Sequence, residues 1–512
     1  MPLTPVQRWF FQAGMRNWGH YNQSLLLRVA PSLDPGRLGK ALVALVQRHD
    51  ALRLRFARRA DGWSAWIDEQ AGGEPAQRAA LLRCVRWPEP KGAHPAAAFF
   101  IEQQCAAFQT GVELEHGPLF RALHLDLGEA TDGRLLLVAH HLLVDAISWR
   151  ILLEELDALY SDRDPGPTGA SFEAWARSLE ALAQGPEPQR VERQHMEQSS
   201  ELVPVPKLRT EHGAAPWGRM ACRRSEEMQR MRLELSGVER ETTRQTAPRR
   251  KPGDGSEFWN GHELKYWSSL PWPRPLPRDF PGDNLESSLQ SLTIEVEPAE
   301  TSNLLRLSSL QRVRADAVLL AALLPGLTRW CGQAYLLIEC EGHGREQPFG
   351  PFGRLPPPDL SRTVGWFTCR FPVHLRYSQG QDLSSLLHQV HGALTAAPAG
   401  GVGYGVLRYL SPRGEELAKR PSPELSFNYL GQVDRGIEPG FWCDQGEPLE
   451  SMGPRHDPES VRRHALALQA LIQRGRLRLD WLYSQSLHRR STIDRLASQT
   501  LDRLHRLARL ES

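Results

Sequence analysis

Two adjacent histidines, His140 and His141, open the stretch with the clearest capacity for chemistry, HHLLVDAISW. They follow an apolar run at 134–139 of strand length, and Asp145 stands four residues after His141, where a helix is predicted to begin. Because successive strand side chains point to opposite faces, one imidazole must point into the protein and the other towards the strand end. An imidazole suits general base catalysis, since its ordinary pKa of about 6.5 leaves it neutral near pH 7. These residues alone equally allow a core histidine beside an exposed one, with Asp145 as a simple N-cap.

The elements that position these residues are typical of an α/β protein. Apolar spacing predicts helices at 34–50, 147–160 and 316–324 and from about 491, and strands at 134–139, 335–340 and 367–375. From 186 to 257 the chain is rich in Arg, Glu, Gln, Pro and Ser and has no sustained period, which predicts a variable, flexible insertion with at most a short helix near 223–235. We therefore predict an N-terminal lobe at 1–185 and a C-terminal lobe at 258–512.

The length of 512 residues corresponds to two to four structural units, and the 40% apolar and 24% charged composition is typical of a globular protein. The formal net charge of +2 gives no electrostatic case for a nucleic acid or a membrane surface as partner. No apolar run approaches the length of a membrane span, and the first residues, MPLTPVQRWFF, do not resemble a signal peptide. Seven cysteines without a CxxC pair argue against a disulfide framework and a zinc site. The expected location is the reducing cytoplasm.

Several enzyme classes lack their motifs here. None of the lysines is followed by Ser or Thr, which excludes a Walker A phosphate loop, and HExxH and GxSxG do not occur. The stretch GVGYG at 401–405 lacks the third glycine of a dinucleotide-binding loop and does not follow a clear strand. We therefore expect no metal and no nucleotide cofactor.

The histidine stretch resembles the HHxxxDxxSW signature of the condensation superfamily of nonribosomal peptide synthetases. Condensation domains usually carry Trp before Ser in this signature, whereas Ser148 before Trp149 is the order of the epimerization branch. Five further motifs of that branch recur in order along nearly the whole chain: PVQRWF at 5–10, EGHGRE at 341–346, RTVGWFT at 362–368, PAGGVGYG at 398–405 and FNYLGQ at 427–432. One departure is Ala146, where many members carry Gly. The other is the segment between the predicted helix at 171–183 and Tyr266-Trp267, which is short in the family and is enlarged here to about 80 residues.

The resemblance implies a two-lobed fold of the chloramphenicol-acetyltransferase type, a pseudo-dimer with a central channel. It also implies epimerization, from L to D, of the Cα of an aminoacyl or peptidyl group. That group arrives as a thioester on the 4'-phosphopantetheine arm of a peptidyl carrier protein, and the inversion passes through an enolate. Adjacent synthetase domains would be the other partners, and no cofactor would be bound by this chain. The amino acid inverted, and whether the chain is a free-standing protein or an excised domain, stay open.

The resemblance also assigns roles. His141 matches the catalytic second histidine of the family, and Glu341 matches the glutamate that faces it across the channel. A carboxylate next to an apolar strand can have a raised pKa and act as an acid near neutral pH, although a solvated strand-end glutamate is the plainer interpretation of Glu341 alone. Whether one base or two serve the reaction stays open.

Five more residues receive supporting roles from the resemblance. Asn428 and Tyr429 match residues near the cleft, and Asn428 could donate a hydrogen bond to the enolate oxygen. His140 is expected to be the inward, structural ring. Asp145 and Arg345 match a buried ion pair, and we assign both to structural support because a paired carboxylate is a poor base.

Two alternatives to epimerization stay open. The first is a condensation or acyltransferase enzyme of the same superfamily, in which His141 activates an amine or an alcohol. The second is a catalytically silent docking module. The EGHGRE motif and the order Ser148-Trp149 argue against the first, and the presence of both His141 and Glu341 argues against the second.

Overall fold

Two large β-sheets, one from each half of the chain, organise the protein in the computed structural model. The structure describes residues 1–71, 73, 80–88, 95–129, 131–184, 255–346, 358–433, 440–442 and 450–510. Within these residues the α/β fold class and the division into two sheet-containing regions agree with the sequence prediction. The predicted insertion at 186–257 lies outside the described residues except for its last three positions, so the three-part domain division stays a prediction.

The described strands are β1 (Asn22–Val29), β2 (Leu54–Arg59), β3 (Gly62–Ile67), β4 (Leu82–Arg86), β5 (Phe120–Asp126), β6 (Gly133–His140), β7 (Leu289–Val296), β8 (Tyr335–Gly342), β9 (Cys369–Arg376), β10 (Leu425–Gln432), β11 (Leu466–Gln473) and β12 (Arg476–Ser484). The described α-helices are α1 (Pro5–Phe11), α2 (Pro35–Arg48), α3 (Pro95–Gln109), α4 (Ala146–Tyr160), α5 (Phe172–Gln184), α6 (Gly255–Ser269), α7 (Pro298–Leu310), α8 (Ala315–Cys331), α9 (Leu383–Thr395), α10 (Val402–Tyr409), α11 (Glu415–Ala418) and α12 (Arg490–Arg509). Short 3-10 turns at Asp50–Arg53, His141–Leu143, Glu286–Ser288, Pro398–Gly401 and Pro412–Gly414 complete the described elements.

The first sheet has the strand order β1-β6-β5-β4. Strand β6 is paired on both edges, with β1 and β5, and is buried along its whole length. Its alternate residues pack into two different apolar clusters, one on each face of the sheet, and this explains its continuous apolar run. The chain leaves β6 through the turn His141–Leu143 and enters α4, whose N-cap is Asp145. The predicted strand and helix around the two histidines are therefore confirmed.

The second sheet has the strand order β7-β12-β11-β10-β8-β9. Strand β8 pairs with β10 in parallel and with β9 in antiparallel register, which puts Glu341 opposite Arg370 and Glu339 opposite Pro372. Asn428 lies on β10, the other neighbour of β8. Three neighbouring strands of this sheet thus bring together Glu341 and Asn428, which belong to two separate motifs, and Arg370, which belongs to none.

A segment of the second half also contacts the first sheet. Isolated bridges join Val29 to Trp442 and Tyr21 to His456. Arg134 on β6 forms a nearly buried ion pair of 2.6 Å with Glu450. These contacts belong to one compact unit, Met1–Glu187 with Asp254–Ser512. No helix among the described residues is long and apolar enough to cross a membrane.

Candidate functional site

The two histidines have different surroundings because the strand ends between them. His140 is completely buried, its Nε2 donates to the carbonyl of Trp18 at 2.8 Å, and its Nδ1 accepts from the backbone N–H of Leu142 at 3.3 Å. Burial lowers the pKa of His140 to about 3, so the ring is neutral. The structure thus places His140 in the core as an inward ring with both nitrogens occupied.

His141 is held in one tautomer by its hydrogen bonds. Its Nδ1 lies 3.0 Å from the carbonyl oxygen of Val144, which can only accept, so Nδ1 carries the proton. The indole N–H of Trp149 donates to Gln23 Oε1 at 2.8 Å, which turns the Gln23 amide nitrogen towards His141 Nε2 at 3.0 Å. The basic lone pair of His141 is therefore on Nε2, where it accepts from Gln23.

Aromatic rings enclose His141. Tyr21 stacks on its ring with centroids 5.5 Å apart, and Trp366 lies 4.2 Å away. His456 stacks in turn on Tyr21, with 4.3 Å between the ring centroids. Burial is the main cause that lowers the pKa of His141 to about 4, and the neighbouring His456 adds to the shift. His141 is consequently a neutral base throughout the physiological range.

Glu341 lies near the end of β8 between a guanidinium and an amide. Its Oε1 is 2.9 Å from an Nη of Arg370, and its Oε2 accepts from Asn428 Nδ2 at 2.7 Å. Arg370 also donates through Nε to Glu339 at 2.8 Å, and Glu339 is 3.0 Å from His464 Nε2. From the sequence, Glu341 is expected next to an apolar strand. In the structure the residue opposite Glu341 on β9 is the cationic Arg370, so the carboxylate does not lie in an apolar setting.

A cavity of about 360 Å³ lies beside Glu341 and is lined by both halves of the chain. Asn428 and Tyr429 line it from β10, and residues 145–147 line it from the start of α4. Thr368 lines both this cavity and a much smaller one of about 30 Å³, to which Trp366 and Arg370 contribute.

Tyr21 connects the surroundings of His141 and Glu341. It stacks on His141, and Arg370 and Glu341 both act on its hydroxyl electrostatically. Burial raises the pKa of Tyr21 to about 12, so the phenol keeps its proton. That His141 and Glu341 face each other directly across a channel stays a prediction.

Asp145 and Arg345 form an ion pair of 2.7 Å in which both side chains are less than a tenth exposed. Asp145 also accepts from the backbone N–H and hydroxyl of Ser148 and from the backbone N–H of Phe367. Arg345 donates to the carbonyl of Thr363 and lies over the Phe367 ring. The expected pair is present and joins α4 to the second half, while its supporting role stays a prediction.

Three residues around the site were not identified from the sequence: Gln23, Tyr21 and Arg370. Gln23 and Tyr21 lie at the start of β1, far from any recognised motif, and reach His141 only because β1 pairs with β6. Arg370 follows the RTVGWFT motif by two residues. Nothing in the sequence indicates a role for it until the strand register that puts it opposite Glu341 is known. No group of three His, Cys, Asp or Glu side chains in the described ranges is arranged to hold a metal ion.

Comparisons with known proteins agree with this architecture. The sequence model of the condensation-domain family matches residues 1–251 and 241–510. A linear gramicidin synthase polypeptide of Brevibacillus parabrevis is 31% identical over 518 residues, which cover 99% of this chain and 6% of that protein. Chondramide synthase cmdD of Chondromyces crocatus is 32% identical over 515 residues, which cover 99% of this chain and 11% of that protein. The chain thus spans about a tenth or less of the length of these relatives.

Solved structures show the same fold. The epimerization domain from the third module of tyrocidine synthetase B superposes with a TM-score of 0.72 at 25% identity, covering 99% of this chain and 97% of that one. The X-domain from teicoplanin biosynthesis superposes with a TM-score of 0.65 at 16% identity, covering 100% and 95%. The second likeness establishes the fold alone.

Proposed function

Because the chain belongs to the condensation-domain family, we propose that it epimerizes the Cα of an aminoacyl or peptidyl thioester carried on the phosphopantetheine arm of a carrier protein. The observation that carries the proposal is the presence, in one compact unit, of two different groups able to transfer protons: the neutral imidazole of His141 and the carboxylate of Glu341. Formation of an amide bond needs one base, whereas inversion of Cα needs a proton removed from one face and another delivered to the opposite face.

The reaction conserves electrons and needs no redox group. The thioester carbonyl acidifies the Cα–H, a base takes the proton, and the bonding pair becomes an enolate. Return of a proton to the other face gives the inverted centre. His141 serves as one base through Nε2, after the incoming thioester displaces the Gln23 amide from that nitrogen, while Val144 keeps Nδ1 protonated. Glu341 serves the other face.

Asn428 supports the developing enolate in this proposal. One of its amide hydrogens is engaged by Glu341, and the amide has a second one to donate. A well-placed donor to a developing oxyanion typically contributes about 3–4 kcal/mol to the transition state. Tyr429 lies next to Asn428 on the cavity lining and would contact the acyl group rather than exchange protons.

The partner proposed is a peptidyl carrier protein, with the adjacent domains of a synthetase. The likeness over 99% of the chain to the epimerization domain of tyrocidine synthetase B favours this assignment. The description of the matching family as condensation domains favours amide formation as the second candidate.

The deciding experiment follows deuterium. A peptidyl carrier protein is loaded in turn with each proteinogenic L-aminoacyl group, incubated with the chain in D2O, and hydrolysed for chiral chromatography and mass spectrometry. We expect the D enantiomer and deuterium at Cα for at least one aminoacyl group. His141→Ala should reduce that exchange by about 10²–10⁴-fold, the usual contribution of a general base.

Two further arms separate the alternatives. A dipeptide formed when a second, acceptor-loaded carrier is present would identify a condensation enzyme. Binding of the loaded carrier without exchange and without dipeptide would identify a docking module.

A further inference from the structure

Arg370 connects two carboxylates on one face of strand β8. Glu339 and Glu341 are two residues apart, so their side chains share a face, and Arg370 stands directly opposite Glu341 on β9. The guanidinium donates through Nε to Glu339 at 2.8 Å, and one of its Nη atoms lies 2.9 Å from Glu341 Oε1 in an ion pair. One guanidinium thus bridges two carboxylates, of which Glu341 lines the larger cavity.

The guanidinium is fixed from several sides. It lies over the Trp9 ring with 4.2 Å between the guanidinium carbon and the ring centroid, and its side chain is 13% exposed. Glu339 is anchored in turn by His464. Burial is the largest single effect on Glu339 and would raise its pKa, but the charge of Arg370 and those of the other basic neighbours together outweigh burial, and the net shift is downward. Displacing Arg370 from this position would therefore deprive a buried carboxylate of its largest compensating charge.

Glu341 itself is the accessible member of this group. Its side chain is 21% exposed, against 7% for Glu339, and Asn428 fixes its second oxygen. Without Arg370, two carboxylates on one face would face each other with no cation between them, and one of them would take up a proton.

We propose that Arg370 is a positioning residue that places a positive charge beside Glu341 and orients its carboxylate, so that Glu341 enters the reaction as a base. This inference rests on the proposed function. In the corresponding half-reaction the Cα proton passes to a Glu341 oxygen and the C–H pair becomes the enolate. A solvent proton relayed by His141 then forms the new C–H bond on the other face, and Glu341 releases its proton to water.

Other titratable groups lie around the pair and must be considered in any pH dependence: Tyr21, Glu339, Cys340, Tyr409, Arg463 and His464. The ion pair of Arg314 and Asp316 lines the same cavity. Arg463 offers a matched control, since it also lies over the Trp9 ring, at 4.8 Å, and hydrogen-bonds Ser422 instead of Glu341.

The test compares Arg370→Met, Arg370→Lys and Arg463→Met with the wild type. Deuterium exchange is measured against pH from L-loaded and from D-loaded carrier. For the enantiomer that Glu341→Gln impairs most, Arg370→Met should move the acid limb of the profile upward by about 1–3 pH units. Activity should recover at high pH, where Glu341 is ionised again. Arg370→Lys should shift the limb less, and Arg463→Met should leave it in place.

A second measurement follows the protonation of the Glu341 carboxyl group directly and does not depend on catalysis. Infrared difference titration follows the carboxyl band that is absent from Glu341→Gln, and its midpoint should rise in Arg370→Met. If Arg370→Met does not fold, the double variant Arg370→Met with Glu339→Gln removes the buried charge as well and should show a smaller shift in the same direction, because Glu341 still lacks its cation but no longer faces a second carboxylate. An unchanged acid limb and an unchanged infrared midpoint in a folded variant would overturn the inference. A wild type that never exchanges would instead contradict the proposed function, and the infrared titration would still decide the role of Arg370.

Discussion

His141 and Glu341 occupy equivalent places in their sheets but opposite electrostatic surroundings. Each lies at or just past the end of a strand that is flanked on both sides, β6 in the first sheet and β8 in the second. Rings surround His141, and burial lowers its pKa to about 4. Ions and amides surround Glu341. The difference shows that two strand ends of similar position can surround a side chain either with aromatic rings or with an opposite charge.

The side chains of His141 and Glu341 are also held in orientation by different kinds of contact. A backbone carbonyl and a glutamine fix the His141 ring, and the glutamine is itself set by Trp149. A salt bridge and an asparagine fix Glu341. Neutral hydrogen bonds contribute about 1 kcal/mol each to stability and those to charged groups somewhat more, so the Glu341 group should be the more rigid of the two.

The largest expected effect comes from removing the carboxylate of Asp145, which forms the buried ion pair with Arg345. Asp145→Ala would leave Arg345 buried without a counter-charge, which typically costs about 3–5 kcal/mol of unfolding free energy. We expect a lower denaturation midpoint together with reduced exchange, because α4 and the second half lose their ion pair. Urea unfolding with parallel exchange assays measures both, with the exposed Asp162→Ala as control. An Asp145→Ala protein of wild-type stability and no activity would instead make Asp145 part of the chemistry.

The next largest effect tests whether the two bases serve different faces. Glu341→Gln keeps the size of the side chain and an oxygen that can accept from Asn428, but it removes the ionisable group. We expect it to slow deuterium exchange by about 10²-fold from one enantiomer of the loaded carrier, since general base catalysis contributes at least that much. His141→Ala should suppress exchange most from the other enantiomer. Equal, wild-type rates from both enantiomers in Glu341→Gln would leave Glu341 structural and His141 the base for both faces.

The smallest expected effect is the contribution of His141 to the free energy of unfolding in mild acid. The folded pKa of His141 is about 4, below its ordinary value of about 6.5, so the folded state binds fewer protons than the unfolded state between these values. Stability must therefore fall as pH is lowered from 6.5 towards 4, by about 1–2 kcal/mol at pH 5 from this ring. Thermal melts at pH 7 and pH 5 should show a smaller loss for His141→Asn than for the wild type.

Glu339→Gln is the matched control for that measurement. The pKa of Glu339 is lowered, so its stabilising contribution is lost only below the ordinary range of a glutamate, near pH 4. The Glu339→Gln protein should be less stable than the wild type at neutral pH, but it should lose as much stability between pH 7 and pH 5 as the wild type does. A His141→Asn protein with the full wild-type loss would contradict the neutral state assigned to the ring.

The sequence by itself determined several of the local features around the site. Apolar periodicity located β6, β8, α4 and α12 within one or two residues, because burial of one face imposes a regular spacing along the chain. The ordered motifs indicated the family, and strand alternation separated an inward His140 from His141. Each of these inferences uses only residues that are close in sequence.

The tertiary structure decided which distant residues meet. Gln23 reaches His141 across 118 positions through the pairing of β1 with β6, and Arg345 reaches Asp145 across 200. Arg370 faces Glu341 because β8 and β9 pair in one register, and a slip of one residue would turn its side chain to the other face of the sheet. The ionisation of a site residue depends on such partners and on burial. The sequence could therefore identify Glu341 as a candidate, whereas only the fold shows that a guanidinium lies beside its carboxylate.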